Sequence, residues 1–157
     1  MEQVVRGYNV TQTGKRVDAL LKSKAIVSTL CFVEIKTHKT AIVANTPYRK
    51  SCWAPSNELT GAVAQIQGTV SSATESLFGK LHLTDTAGFP TSEEVFNYQP
   101  KSIVIAGNLS QFCGEHGVNQ DQLRSFELFR KNTIQPEIIT FDELYQRASQ
   151  IVETIEC

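Results

Sequence analysis

Asp18, Glu34 and Lys36 are the positions in this 157-residue chain whose types and spacing suit chemistry on a phosphate. Residues two apart in a strand share a face, so Glu34 and Lys36 project together if the segment is extended. A neighbouring strand that carries Asp18 brings a second carboxylate alongside. Two carboxylates a few ångströms apart repel unless a cation lies between them. Oxygen donors of this kind suit Mg2+ or Mn2+, which keep several waters when bound. An adjacent ammonium orients an attacking water or offsets charge on a pentacovalent phosphate. By spacing alone the trio is a weak signal, and a solvated Glu/Lys pair on a strand is the plain alternative. Its setting strengthens it, because the pair ends a strongly apolar run, where charge has a reason or a rim position.

The elements that must position these groups are legible in outline. Arg16 to Leu21 reads as a short strand, Lys22–Lys24 as a tight turn, and Ala25 to Thr37 as a second strand rich in Ile, Val, Thr, Phe and Leu. Together they suggest a hairpin. His38 to Pro55 is irregular, with a polar cluster at Pro47, Tyr48 and Arg49. Ser56 after Pro55 is a helix cap. Leu59, Val63, Ile66, Val70, Ala73 and Leu77 then recur at helical spacing, with Gly68 as the weak point. Residues 79–100 read as a long loop with a short helical turn near Glu93–Phe96. Ile103 to Ala106 reads as a buried strand ending at Gly107. Asn119 caps a helix over Asp121–Lys131, Glu137–Thr140 is a short strand, and a last helix follows. Asp142 and Glu143 suit the start of that helix, and Leu144, Ala148, Ile151, Val152 and Ile155 form its apolar face. The order predicts an α/β fold with mixed strand directions.

Composition narrows the class. Hydrophobic residues make up 41% and charged residues 20%, which gives a chain of this length a real core. One domain over residues 1–157 is expected. No signal-peptide pattern and no membrane-length apolar run is present, so a cytoplasmic protein without membrane contact is the expectation. Cys31, Cys52, Cys113 and Cys157 lack zinc-site spacing and read as structural thiols. The net charge of −1 hides an asymmetry. Residues 1–80 hold ten Lys or Arg against five Asp or Glu, and residues 81–157 hold five against eleven. This permits a phosphate-facing surface on an otherwise acidic molecule, and equally permits solvated charge. Lys39, Arg49 and Lys50 are the candidates to follow a DNA backbone, since such contacts need only charge and reach. Tyr48 and Trp53 either stack on a frayed base or anchor their loop.

Several stretches carry a family resemblance. They are residues 14–21 around Asp18, Phe32-Val33-Glu34-Ile35-Lys36-Thr37, Tyr48-Arg49, Pro55-Ser56 with Glu58-Leu59, and residues 61–65 ending at Gln65. Ser125 to Arg130 and Ile138 to Leu144 complete the set in the same order. The chain resembles the PD-(D/E)xK nuclease superfamily and, more narrowly, the nuclease domain of Shedu anti-phage defence proteins. The resemblance implies a restriction-endonuclease-like mixed sheet flanked by helices, and metal-dependent hydrolysis of DNA. It implies Asp18, Glu34 and the Ile35 carbonyl as ligands of Mg2+, with Mn2+ as substitute, and Lys36 as the catalytic lysine. Gln65 matches a family glutamine that faces the site, and it lies about 120° from the centre of the apolar stripe at 3.6 residues per turn.

The family fold usually opens with a helix and a strand, whereas only 17 residues precede Asp18. Val4–Val10 is the candidate for that strand, and the first helix is expected to be missing or truncated. Relatives also imply a homo-oligomer and a regulatory N-terminal region absent from this chain. Two other readings stand beside the nuclease: a nuclease-like DNA-binding or regulatory module without catalysis, and an α/β domain for small molecules.

Overall fold

The computed structural model describes residues 18–22, 28–76, 80–84 and 89–155. The expected strand at Val4–Val10, the first helix, the turn at Lys22–Lys24 and Leu77 lie wholly or mostly outside them. Elements follow in the order β1 (Ala19–Lys22), β2 (Ser28–Ile35), α1 (Asn57–Ser76), β3 (Lys80–Thr84), β4 (Pro90–Ile105), a 3-10 turn (Leu109–Phe112), β5 (Cys113–Gly114), β6 (Gly117–Val118), α2 (Gln120–Asn132), β7 (Glu137–Ile139) and α3 (Phe141–Ile155). The main sheet has the order β1-β2-β4-β3, with β7 also paired to β4, and β5 and β6 form a small separate hairpin. Contacts divide the chain into two compact units, one of residues 1–34 and 64–103, the other of residues 35–63 and 104–157.

In the first unit β1 and β2 are antiparallel, with Ala19 opposite Val33 and Leu21 opposite Cys31. Leu30, Phe32 and Val33 of β2 are buried, as are Ile66, Thr69 and Ala73 of α1. Thr69 tolerates burial because its hydroxyl donates to the Gln65 carbonyl at 3.0 Å. Residues 79–100 depart from the expected loop. They hold β3 and the long strand β4, paired antiparallel with Lys80 opposite Phe96 and a register shift before Thr84 opposite Pro90. The physical reason lies in the prolines. Pro90 starts its strand, and Pro100 follows Gln99, whose φ of +47° kinks the backbone. Proline is tolerated in a sheet at such starts and irregularities.

The second unit begins where β2 ends. The Lys36 N–H donates to the Ile105 carbonyl and the Gly107 N–H to the Thr37 carbonyl. The Ala106 N–H donates to Ile139 and the Phe141 N–H to Gly107. Along each pair the bonds advance in the same direction on both chains, which is the parallel pattern. With the antiparallel hairpins, this makes the sheet mixed, as expected. Ser56 caps α1, accepting from the Leu59 N–H at 3.0 Å while donating to the Ala41 carbonyl. Asn119 caps α2 through the Gln122 N–H, and Phe126 of that helix packs on Phe112 with ring centroids 5.9 Å apart.

Gly107 is a fixed point of this unit. Its φ is +65°, and an added Cβ would lie 2.5 Å from Ile42 Cγ1 and 2.7 Å from the Thr40 carbonyl oxygen. Only glycine meets both demands.

Arg130 does more than pair with Glu127 along α2. It also bonds Glu143 at 2.7 Å and lies over the Phe126 ring. Glu143 accepts from the Thr140 N–H and hydroxyl as well, the side-chain-to-backbone half of a capping box at the start of α3. Burial raises the Glu143 pKa, but the bonds from Arg130 and Thr140 outweigh it and hold the carboxyl at about 2. On α3 itself the expected apolar face forms, yet Leu144, Ile151 and Val152 are exposed. A helical period fixes which residues share a side, not what covers them.

Candidate functional site

Glu34, in the first unit, is buried, with 2% of its surface exposed. An ionised carboxylate taken from water needs hydrogen bonds or opposite charge to persist. One donor is the Gln65 side chain, whose Nε2 donates to Glu34 Oε2 at 2.9 Å. Gln65 is exposed on α1, at the edge of the buried stripe of Leu59, Ala62, Val63 and Ile66, so its amide joins solvent to the buried oxygen.

Asp18 enters through the hairpin. The β1–β2 register ends at the Ala19–Val33 rung, and Asp18, a bend just ahead of β1, and Glu34 are the residues that adjoin that rung on the two strands. Asp18 is exposed where Glu34 is buried. The unit joins Gln65 to Glu34, and Asp18 precedes the strand that pairs with Glu34's own.

The others fall in the second unit. Ile35 closes β2 with its side chain exposed, and Lys36 follows, half-buried. Lys39 is exposed in a turn held by the Thr40 N–H on the Thr37 carbonyl. His38 is exposed, its ring edge-on to Phe141 with centroids 6.3 Å apart. Arg49 and Lys50 are exposed at a tight turn, Tyr48 to Cys52. Arg124 and Ser125 of α2 brace this turn, through Arg124 Nη2 to the Ser51 carbonyl at 3.2 Å and the Trp53 N–H to Ser125 Oγ at 3.1 Å. The sequence gives no hint of this brace, since the partners lie more than seventy positions apart.

The expected ligands, Asp18, Glu34 and the Ile35 carbonyl, would offer hard oxygens only, a chemistry that suits Mg2+ or Mn2+ and not a softer metal. Among the described residues no group of three or more His, Cys, Asp or Glu gathers. Among the same residues no helix is long and apolar enough to cross a membrane.

A family model described as "Shedu protein SduA, C-terminal" matches residues 2–145. The chain is also similar to the Shedu protein SduA of Bacillus cereus (strain B4264), 29% identical over 160 residues. That alignment covers 99% of this chain and 39% of the relative, so the chain spans about two fifths of its length.

Proposed function

The chain belongs to the Shedu family, and from that premise we propose that it is a divalent-metal-dependent DNA endonuclease domain acting in defence against phage. The observation that carries the reading is the buried Glu34 carboxylate, held by Gln65, at the end of the hairpin where Asp18 leads into β1. Burying an acid is costly, and the cost makes sense where the acid serves an ion.

In this reading Asp18, Glu34 and the Ile35 carbonyl hold Mg2+, or Mn2+ in its place. A bound divalent ion supplies Lewis-acid polarisation of a phosphoryl oxygen and a water ionised near neutral pH. Gln65 fixes one oxygen of Glu34 and so the direction of the other. Lys36 offsets the charge that grows on phosphate as water adds to phosphorus and the bond to the leaving sugar oxygen breaks. Ile35 and Lys36 enter from the motif, being the residues next along the chain. Lys39, Arg49 and Lys50 contact the DNA backbone.

The test is cleavage of supercoiled plasmid in Mg2+ or Mn2+. Nicked product that EDTA prevents is expected from the native chain, and Glu34→Ala or Lys36→Ala is expected to abolish it while the fold survives. Undiminished metal-dependent cleavage by the double variant would remove the site. Salt-sensitive DNA binding without product at any metal concentration would instead establish a non-catalytic DNA-binding module.

A further inference from the structure

Tyr48 stands on a rigid turn and remains 71% exposed. The turn is pinned by the Tyr48 and Arg49 N–H groups on the Cys52 carbonyl and by the Cys52 N–H on the Arg49 carbonyl. Ser51, not a glycine, takes φ of +56° there. A left-handed non-glycine residue costs free energy and persists only where its surroundings hold it. Arg124 does so, donating to the Ser51 carbonyl, and its own charge is met by Asp121 at 2.8 Å. Ala44 and Ala54 close the base of the loop by a backbone bond, and Ser125 holds the Trp53 N–H. The guanidinium of Arg49 lies 5.4 Å from the Tyr48 ring centroid, and Arg49 and Lys50 are both exposed.

An exposed aromatic ring stands here on a braced turn, beside two exposed cations. It matches what binds single-stranded nucleic acid: a π-face for a base with cations for the adjoining phosphates. Duplex DNA buries its base faces in the stack, so a lone ring gains nothing from it except at a frayed or unpaired position. We infer that the Tyr48–Ser51 turn is a base-stacking finger that engages unpaired nucleotides of DNA, with Tyr48 on the base and Arg49 and Lys50 on the phosphates. The inference rests on the DNA reading above and adds selectivity for unpaired strand to it. Arg124 is the positioning residue, acting through the turn.

Fluorescence anisotropy on the whole chain, in EDTA at low salt, tests it with three labelled probes: an oligothymidine strand, a blunt duplex, and a duplex with an unpaired tail. Tyr48→Ala is expected to weaken the strand and the tailed duplex on the order of tenfold and to leave the blunt duplex unchanged. Tyr48→Phe keeps the ring and is expected to retain native affinity, which separates stacking from loss of fold. Arg49→Ala weakens all three probes and reduces the salt slope by about one. Equal loss on blunt and unpaired probes, or no loss on either, would overturn the finger while leaving DNA binding intact. No binding of the native chain to any probe would overturn the DNA reading itself.

Discussion

The Gln65 amide donates to Glu34 Oε2 at 2.9 Å, joining an exposed helix residue to a buried strand carboxylate. Gln65→Leu removes that donor while keeping the side chain's bulk. A buried acceptor deprived of one partner costs about 1–3 kcal/mol. The expected outcome is a lower urea midpoint together with weaker Mn2+ binding by titration calorimetry. Unchanged stability and unchanged metal affinity would mean that the bond carries no weight.

Gln65→Glu tests the same pair from the opposite side. It sets a second carboxylate against Glu34, a repulsion that a divalent ion relieves. The variant is expected to melt below the native chain in EDTA and to regain most of the difference in Mg2+. A ligand that binds only the native state stabilises by about 2.7 kcal/mol at a hundred times its Kd. Equal melting shifts in Mg2+ and Na+ at matched ionic strength would argue against an ion at this position.

Glu143 predicts a feature of acid unfolding. Its carboxyl lies at about 2 against an ordinary 4.5, because the bonds from Arg130 and Thr140 outweigh burial. Its contribution to stability is therefore complete above about pH 4.5 and is lost as pH falls toward 2. Glu143→Gln removes that contribution, so its denaturation midpoint is expected to fall less steeply across this window than the native one. Parallel curves between pH 5 and pH 2 would contradict the assignment.

Ser56→Ala removes a cap and a donor together, since the hydroxyl serves both the Leu59 N–H and the Ala41 carbonyl. A loss of about 1–2 kcal/mol is expected in chemical denaturation. Gly107→Ala is expected to cost more, on the order of 3 kcal/mol, because strain at positive φ adds to a clash with Ile42 and Thr40. If the glycine variant proved the milder of the two, the crowding around that alpha carbon would be overstated.

What the sequence showed and what it hid divide along physical lines. The β1–β2 hairpin, α1 behind Ser56 and α2 behind Asn119 were legible because each rests on local pattern and a capping side chain. β3 and the first part of β4 were not, because Pro90, Pro100 and the surrounding small polar residues carry loop signals that long-range pairing overrode. Periodicity marked the α3 stripe, but its Leu144, Ile151 and Val152 stay exposed. That Asp18 and Glu34 come at the same end of the hairpin follows from two strands joined in antiparallel. The Gln65 bond does not, since a helical wheel says which side a residue takes and not what it meets. Likewise Arg130 read as a pair within α2, and its bond to Glu143 joins segments that no local rule connects.

Alternation along β1 and β2 makes the proposed metal site depend on parity as well as on letters. A homologue that keeps both acids but gains or loses one residue inside either strand presents them on opposite sides of the ribbon. Counting the residues between each acid and the Ala19–Val33 rung therefore sorts competent relatives from those that only spell the motif.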